Sequence, residues 1–221
     1  MKLYRTQVMF LASQLVLAGM AFGQTYKAEN AGAPPATDLS KPLQDALESQ
    51  GVRVVNDQGG TLLEVWLPKA VPTSSSASAS SDFLYGSLSE GVFLGVLHFP
   101  TPAADFRGQA IKPGFYTLRY GLIPQDGNHM GVNPTRDVLV LCPVAADNDL
   151  GTALKFDDLV KLGRQASGTA HPGVLLGAPV NGDTYPAVFK DDQGRWNLQE
   201  KIHGSNGDLP FAFTVVGKWE G

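Results

Sequence analysis

Residues 124–137 read Pro-Gln-Asp-Gly-Asn-His-Met-Gly-Val-Asn-Pro-Thr-Arg-Asp, and this is where the chain concentrates side chains able to do chemistry. Asp126 and Asp137 supply carboxylates, His129 an imidazole and Arg136 a guanidinium, with amides between them. Oxygen and imidazole donors so close together could ligate a cation or hydrogen-bond a polar ligand. The segment joins two strongly apolar runs, and a hairpin would need only about two to five residues there, so its length exceeds what the topology requires. Arg119, on the run before it, joins Asp126, His129, Arg136 and Asp137 as a ligand-binding candidate. A structural role is the alternative: Asp126 and Asn128 can make Asx turns, and Arg136 can pair with a nearby carboxylate.

Other chemistries find less to work with. The histidines are His98, His129, His171 and His203, with no close-spaced pair and no His-Glu-x-x-His or Cys-x-x-Cys element. His98 lies on an apolar run and reads as a core imidazole, and His203, beside Gly204, as a solvated turn residue. His129 and His171 sit in loops and, with Asp126, form the candidate metal set. No cofactor is expected beyond a divalent cation that these three could hold. The Gly-x-Ser-x-Gly elbow does not occur; residues 87–91 come nearest and lack the first glycine. Asp157-Asp158 and Asp191-Asp192 are neighbours in sequence, so they diverge and do not face one another across a cleft. Neither dinucleotide nor P-loop glycine patterns occur. Asp147-Asn148-Asp149 begins like a calcium loop, but Leu150-Gly151-Thr152 breaks the spacing.

The elements that must position these residues are mostly strands. Residues 52–55 and 61–67 are β-rich runs around Asn56-Asp57-Gln58-Gly59-Gly60, which is hairpin punctuation. Residues 91–99 are apolar on both faces, as in a central strand, and 115–123 and 138–144 continue in that style. In 115–123, Tyr116, Leu118, Tyr120 and Leu122 share one face. A hairpin over 187–203 and a closing strand over 211–219 follow. Two short helices interrupt the strands. One is capped by Ser40, with Leu43, Ala46 and Leu47 on one face and Gly51 as its stop; the other spans 156–165, with Gly168 as its stop. The expected fold is mainly β: an antiparallel, jelly-roll-like β-sandwich with two short helices. Residues 24–40 read as an extended tether, 41–221 as one domain, and 73–81 as a flexible Ser-rich loop within it.

Residues 1–23 read as a secretory leader. Lys2 and Arg5 precede an apolar run, and Ala21-Phe22-Gly23 offers small residues for cleavage after Gly23. The run is shorter than the ~20 residues of a spanning helix, so a secreted or periplasmic product with no membrane span is expected. Leader removal would take the formal charge from −4 to −6, which argues against nucleic acid as a partner. Cys142 is the single cysteine, so no intramolecular disulfide can form, and its place on an apolar strand predicts a buried thiol.

Gly108-Gln109-Ala110-Ile111-Lys112-Pro113-Gly114-Phe115-Tyr116-Thr117-Leu118, with Pro124 after the strand, resembles a strand entry found in secreted bacterial β-sandwich families of unassigned function. The resemblance implies a fold and no activity. The expected function is therefore that of a secreted or periplasmic, non-catalytic binding or accessory module, its partner a small polar ligand, a glycan or a protein. Trp66, Trp196 and Trp219 could stack on a sugar if exposed. The alternative is a hydrolase assisted by a cation, using the 124–137 loop and Arg119.

Overall fold

The computed structural model describes residues 24–75, 82–127, 135–147 and 149–218. Residues 1–23, expected to be a leader, residues 76–81 of the stretch expected to be a Ser-rich loop, His129 and Trp219 lie outside them. The fold is mainly β with two helices, and one antiparallel sheet of ten strands is nearly closed into a barrel. In chain order the elements begin with β1 (Tyr26–Gly32), α1 (Lys41–Ala46), β2 (Gly51–Asn56), β3 (Thr61–Trp66) and β4 (Phe93–Phe99). The short pair β5 (Ala103–Ala104) and β6 (Ala110–Ile111) precedes β7 (Gly114–Leu122) and β8 (Asp137–Pro143). Then come α2 (Phe156–Ser167), β9 (Val174–Ala178), β10 (Ala187–Lys190), β11 (Trp196–Gly204) and β12 (Gly207–Val216). The spatial order of the large sheet is β1-β2-β3-β4-β7-β8-β9-β12-β11-β10. The two ends of this order approach one another: the ring of Tyr26, on edge strand β1, meets Trp196 of β11 edge-on at 5.5 Å.

Residues 24–40 were expected to form a tether, and part of that segment does not. Tyr26–Gly32 is the edge strand β1, paired with β2 from Tyr26↔Asn56 to Gly32↔Gly51. It carries few apolar residues because it is an edge strand whose exposed face stays in water. Farther on, Leu39 is buried with α1 against the sheet. Gly51 opens β2, and α1 ends instead at Leu47, whose extended backbone leads away. Ser40 makes no side-chain cap, and Pro42 in the first turn presets the helix.

Strand alternation divides the apolar residues between an interior and two outer patches. Val54, Leu63, Leu97, Leu118 and Leu139 meet Leu198, Ile202, Phe211 and Phe213 in the interior core. Outside β3 and β4, α1 covers Trp66, Phe93 and Val96. Outside β8 and β9, α2 covers Val138, Val140, Cys142 and Val174 through Leu159. Strands β4 and β8 read as apolar on both faces because each has core on one side and a helix on the other. Gly163 permits the close approach of α2: a Cβ there would stand 2.5 Å from Pro172 Cβ and 2.8 Å from Val140 Cγ1. Gly168, read from the sequence as the stop of this helix, ends α2 at φ 66° in the left-handed conformation. Cys142 is fully buried, and burial pushes its thiol up to about 12.

Glu200 is an interior position that breaks the apolar rule. It shares a face of β11 with Leu198 and Ile202, is 7% exposed, and its Oε1 has no hydrogen-bond partner among the described residues. Burial pushes its carboxyl up to about 7 from an ordinary 4.5. A proton held more tightly folded than unfolded gives stability that is full below about pH 4.5, declines as pH rises to about 7, and is level above that; this shift amounts to about 3 kcal/mol. Glu200→Gln should therefore match the parent near pH 4.5 and exceed it by about 1–3 kcal/mol at pH 8 in urea denaturation. Parallel pH profiles for the two proteins would contradict this account.

Candidate functional site

The residues singled out from the sequence separate into two groups. Arg119 lies on the outer face of β7 and is fully buried. Its Nε and Nη2 grip both carboxylate oxygens of Asp147, at 2.8 and 2.7 Å. Nη1 donates to the carbonyls of Gly91 and Thr152, and Nη2 also donates to that of Asp149. All five guanidinium donors are thereby used inside the protein. The Phe93 ring lies 5.7 Å away, and Thr117 donates to the same Asp147 carboxylate. The side chain has no donor left for a ligand.

Asp137 is likewise fully buried. Its carboxylate accepts from Leu84 N at 2.8 Å, Tyr85 N at 3.1 Å and Tyr120 Oη at 2.7 Å, which fastens the segment before β4 onto the sheet. Burial, and with it the bond to Asp137, holds the Tyr120 hydroxyl well above its ordinary range. Tyr85, anchored in this way, donates through Oη to Ala178 O and accepts from Ala212 N at 2.8 Å, spanning the seam between β9 and β12. Arg136 donates from Nε to Ile123 O at 2.7 Å and from its backbone to Asp82 O. Arg119, Asp137 and Arg136 thus serve the fold. Apolar strands signalled burial for the first two, but their partners, far off in sequence, could not be read.

Asp126 and His171 come together differently, because both line a groove of about 330 Å³ between α2 and the outer face of β7 and β8. Val138, Val140, Val174, Leu159 and Val160 form much of its apolar lining. Phe106 lines it as well, as does Phe156, which is 42% exposed. Its charged lining consists of Glu90, Arg107, Asp126, Arg164 and His171. The volume falls within the range of small-molecule sites, and an apolar lining with a few polar groups is their usual composition. Sequence reasoning passed over Arg107 and Arg164; Phe156 and Val160, apolar residues beside the buried stripe of α2, were the available signal.

Metal binding finds no complete donor set here: among the described residues no three His, Cys, Asp or Glu side chains converge to hold an ion. The remaining histidines have other partners. His98 bonds Glu64 at 3.0 Å and stacks on Phe115, and His203 bonds Asp208 at 2.8 Å on the surface. Trp66 is buried beneath α1, its indole donating to Gly32 O, and Trp196 is half-buried against Tyr26. No protein-family model, curated protein or solved structure matches this chain.

The two groups should respond differently to substitution. Arg119→Ala strands the buried Asp147 carboxylate and should cost about 3–5 kcal/mol in urea unfolding. Asp126→Ala, at an exposed position, should cost under about 0.5 kcal/mol. Equal losses would undo the division between fold and groove.

Proposed function

We propose that this protein is a non-catalytic binding module, exported under the direction of residues 1–23, that holds a small molecule in the groove beneath α2. We read its sheet as folded into two facing halves in the manner of a sandwich. Interior residues such as Val54 and Leu63 from one half and Leu198 and Phe211 from the other belong to one core. The observation that carries the functional reading is the groove itself: an open apolar channel of about 330 Å³ with charged groups at its margins. Monomeric proteins usually cover such apolar concavities unless something binds there.

The hydrolase reading draws less support. Asp126 and His171 line the groove, but Arg119 and Asp137 are committed to internal partners and cannot also polarise a substrate.

N-phenyl-1-naphthylamine, an uncharged dye that fluoresces in apolar surroundings, tests the reading. One dye should bind per protein. Ala170→Trp, which places an indole at an exposed position on the groove lining, should weaken it about tenfold or more while the melting temperature holds. Absence of dye binding, or full binding to Ala170→Trp, would dismiss the groove as a site.

A further inference from the structure

The groove is polarised along α2. At the helix entry, Leu154 N donates to Gly91 O, which brings Glu90 to this end, and Glu90 Oε1 already accepts from Leu122 N at 3.2 Å. Asp126 likewise is already engaged. At the helix exit the groups are basic. Arg164 donates from Nε to Ala170 O at 2.6 Å, which sets its guanidinium beside the loop carrying His171. Gln109 ties the Arg107 loop to the same place: its Nε2 donates to Pro172 O at 3.3 Å, and its Oε1 accepts from Thr169 Oγ1.

The exposed Arg107 and Arg164 differ from three more buried arginines in lacking a carboxylate partner among the described residues. Arg119 pairs with Asp147, Arg53 with Glu64 and Arg195 with Asp191. The Arg107 guanidinium lies 5.3 Å over the Phe106 ring and has no hydrogen-bond acceptor among the described residues. The terminal nitrogens of Arg164 and the ring of His171 also have none there. On a chain whose formal net charge is −4, three basic groups without a carboxylate partner stand at one end of an apolar groove. From Phe156 to Arg164 the helix advances about 12 Å, so the apolar channel leading to them suits an extended chain of moderate length.

We propose that the groove takes a single-chain amphiphilic anion of medium length, its carboxylate-like head among Arg107, Arg164 and His171 and its tail along Val140 and Leu159 toward Phe156. This rests on the binding reading above and adds the class of ligand. The paired oxygens of such a head match the planar fork of a guanidinium, and the apolar lining leaves the tail nothing polar to satisfy.

Displacement of N-phenyl-1-naphthylamine by decanoate, decanol and decylammonium tests the proposal. Decanoate should displace the dye at about tenfold lower concentration than decanol, with decylammonium weakest. Arg107→Glu, a change at an exposed side chain, should abolish the preference for decanoate over decanol while the melting temperature holds. Equal potency of decanoate and decanol, a preference for decylammonium, or a preference for decanoate that survives Arg107→Glu would overturn the anionic ligand and leave groove binding standing. Failure of the dye itself to bind would remove both.

Discussion

The Arg119 guanidinium is the interaction on which the rest of this structure depends. Strand β7 places it on the outer face of the sheet, where a buried charge is tolerable only if its donors are satisfied and its charge is met. Asp147 meets the charge in a bidentate pair, and the carbonyls of Gly91, Asp149 and Thr152 take the remaining donors. Segments on either side of the sheet's apolar outer patch are thereby tied to one fixed group. The connection from β8 reaches α2 from this anchored position, so the helix sits over Val138 and Val140 at a set height. The groove is the space left by that placement, and Gly163 brings the helix down at one point while the Phe156 end stays open.

Much of the strand framework could be read from residue order, since period-two alternation and glycine-rich turns are local features. Helix α2 was legible for a similar reason: its stripe of Leu159 and Gly163 and its stop at Gly168 lie within one short window. Tyr26–Gly32 escaped because an edge strand facing water has the composition of a linker; only its ladder with β2 distinguishes it. The closure of the sheet also depends on which distant strands meet, as at Tyr26 and Trp196, and no local pattern encodes that.

Polar residues were harder to interpret than apolar ones. Arg119 and Asp137 were conspicuous because they interrupt or border apolar strands, and the same position that drew attention buried them. Whether such a group serves a ligand or the fold depends on partners such as Asp147 and Tyr85, brought together only by the fold. Arg107 and Arg164 have the opposite character. Each sits among ordinary surface residues in the sequence, and only the adjacency of the Gln109, Thr169 and Pro172 loops makes them neighbours of one groove.

The joint between β9 and β12 consists of two residue pairs, Ala212↔Ala178 and Phe213↔Gly177, whereas β11 and β12 pair along nearly their full lengths. The Tyr85 hydroxyl, reaching in from a segment more than ninety residues away in sequence, bonds to both sides of that short joint. Strands β10 to β12 therefore form a densely paired unit whose hydrogen-bonded ladder to β9 is short, so that its hold on the rest of the molecule comes mainly from the shared interior core. Loosening it along this line requires withdrawing one aromatic side chain from between two strands. Tyr85 thus acts as a bolt across the joint, and Asp137, by holding its backbone, keeps the bolt seated.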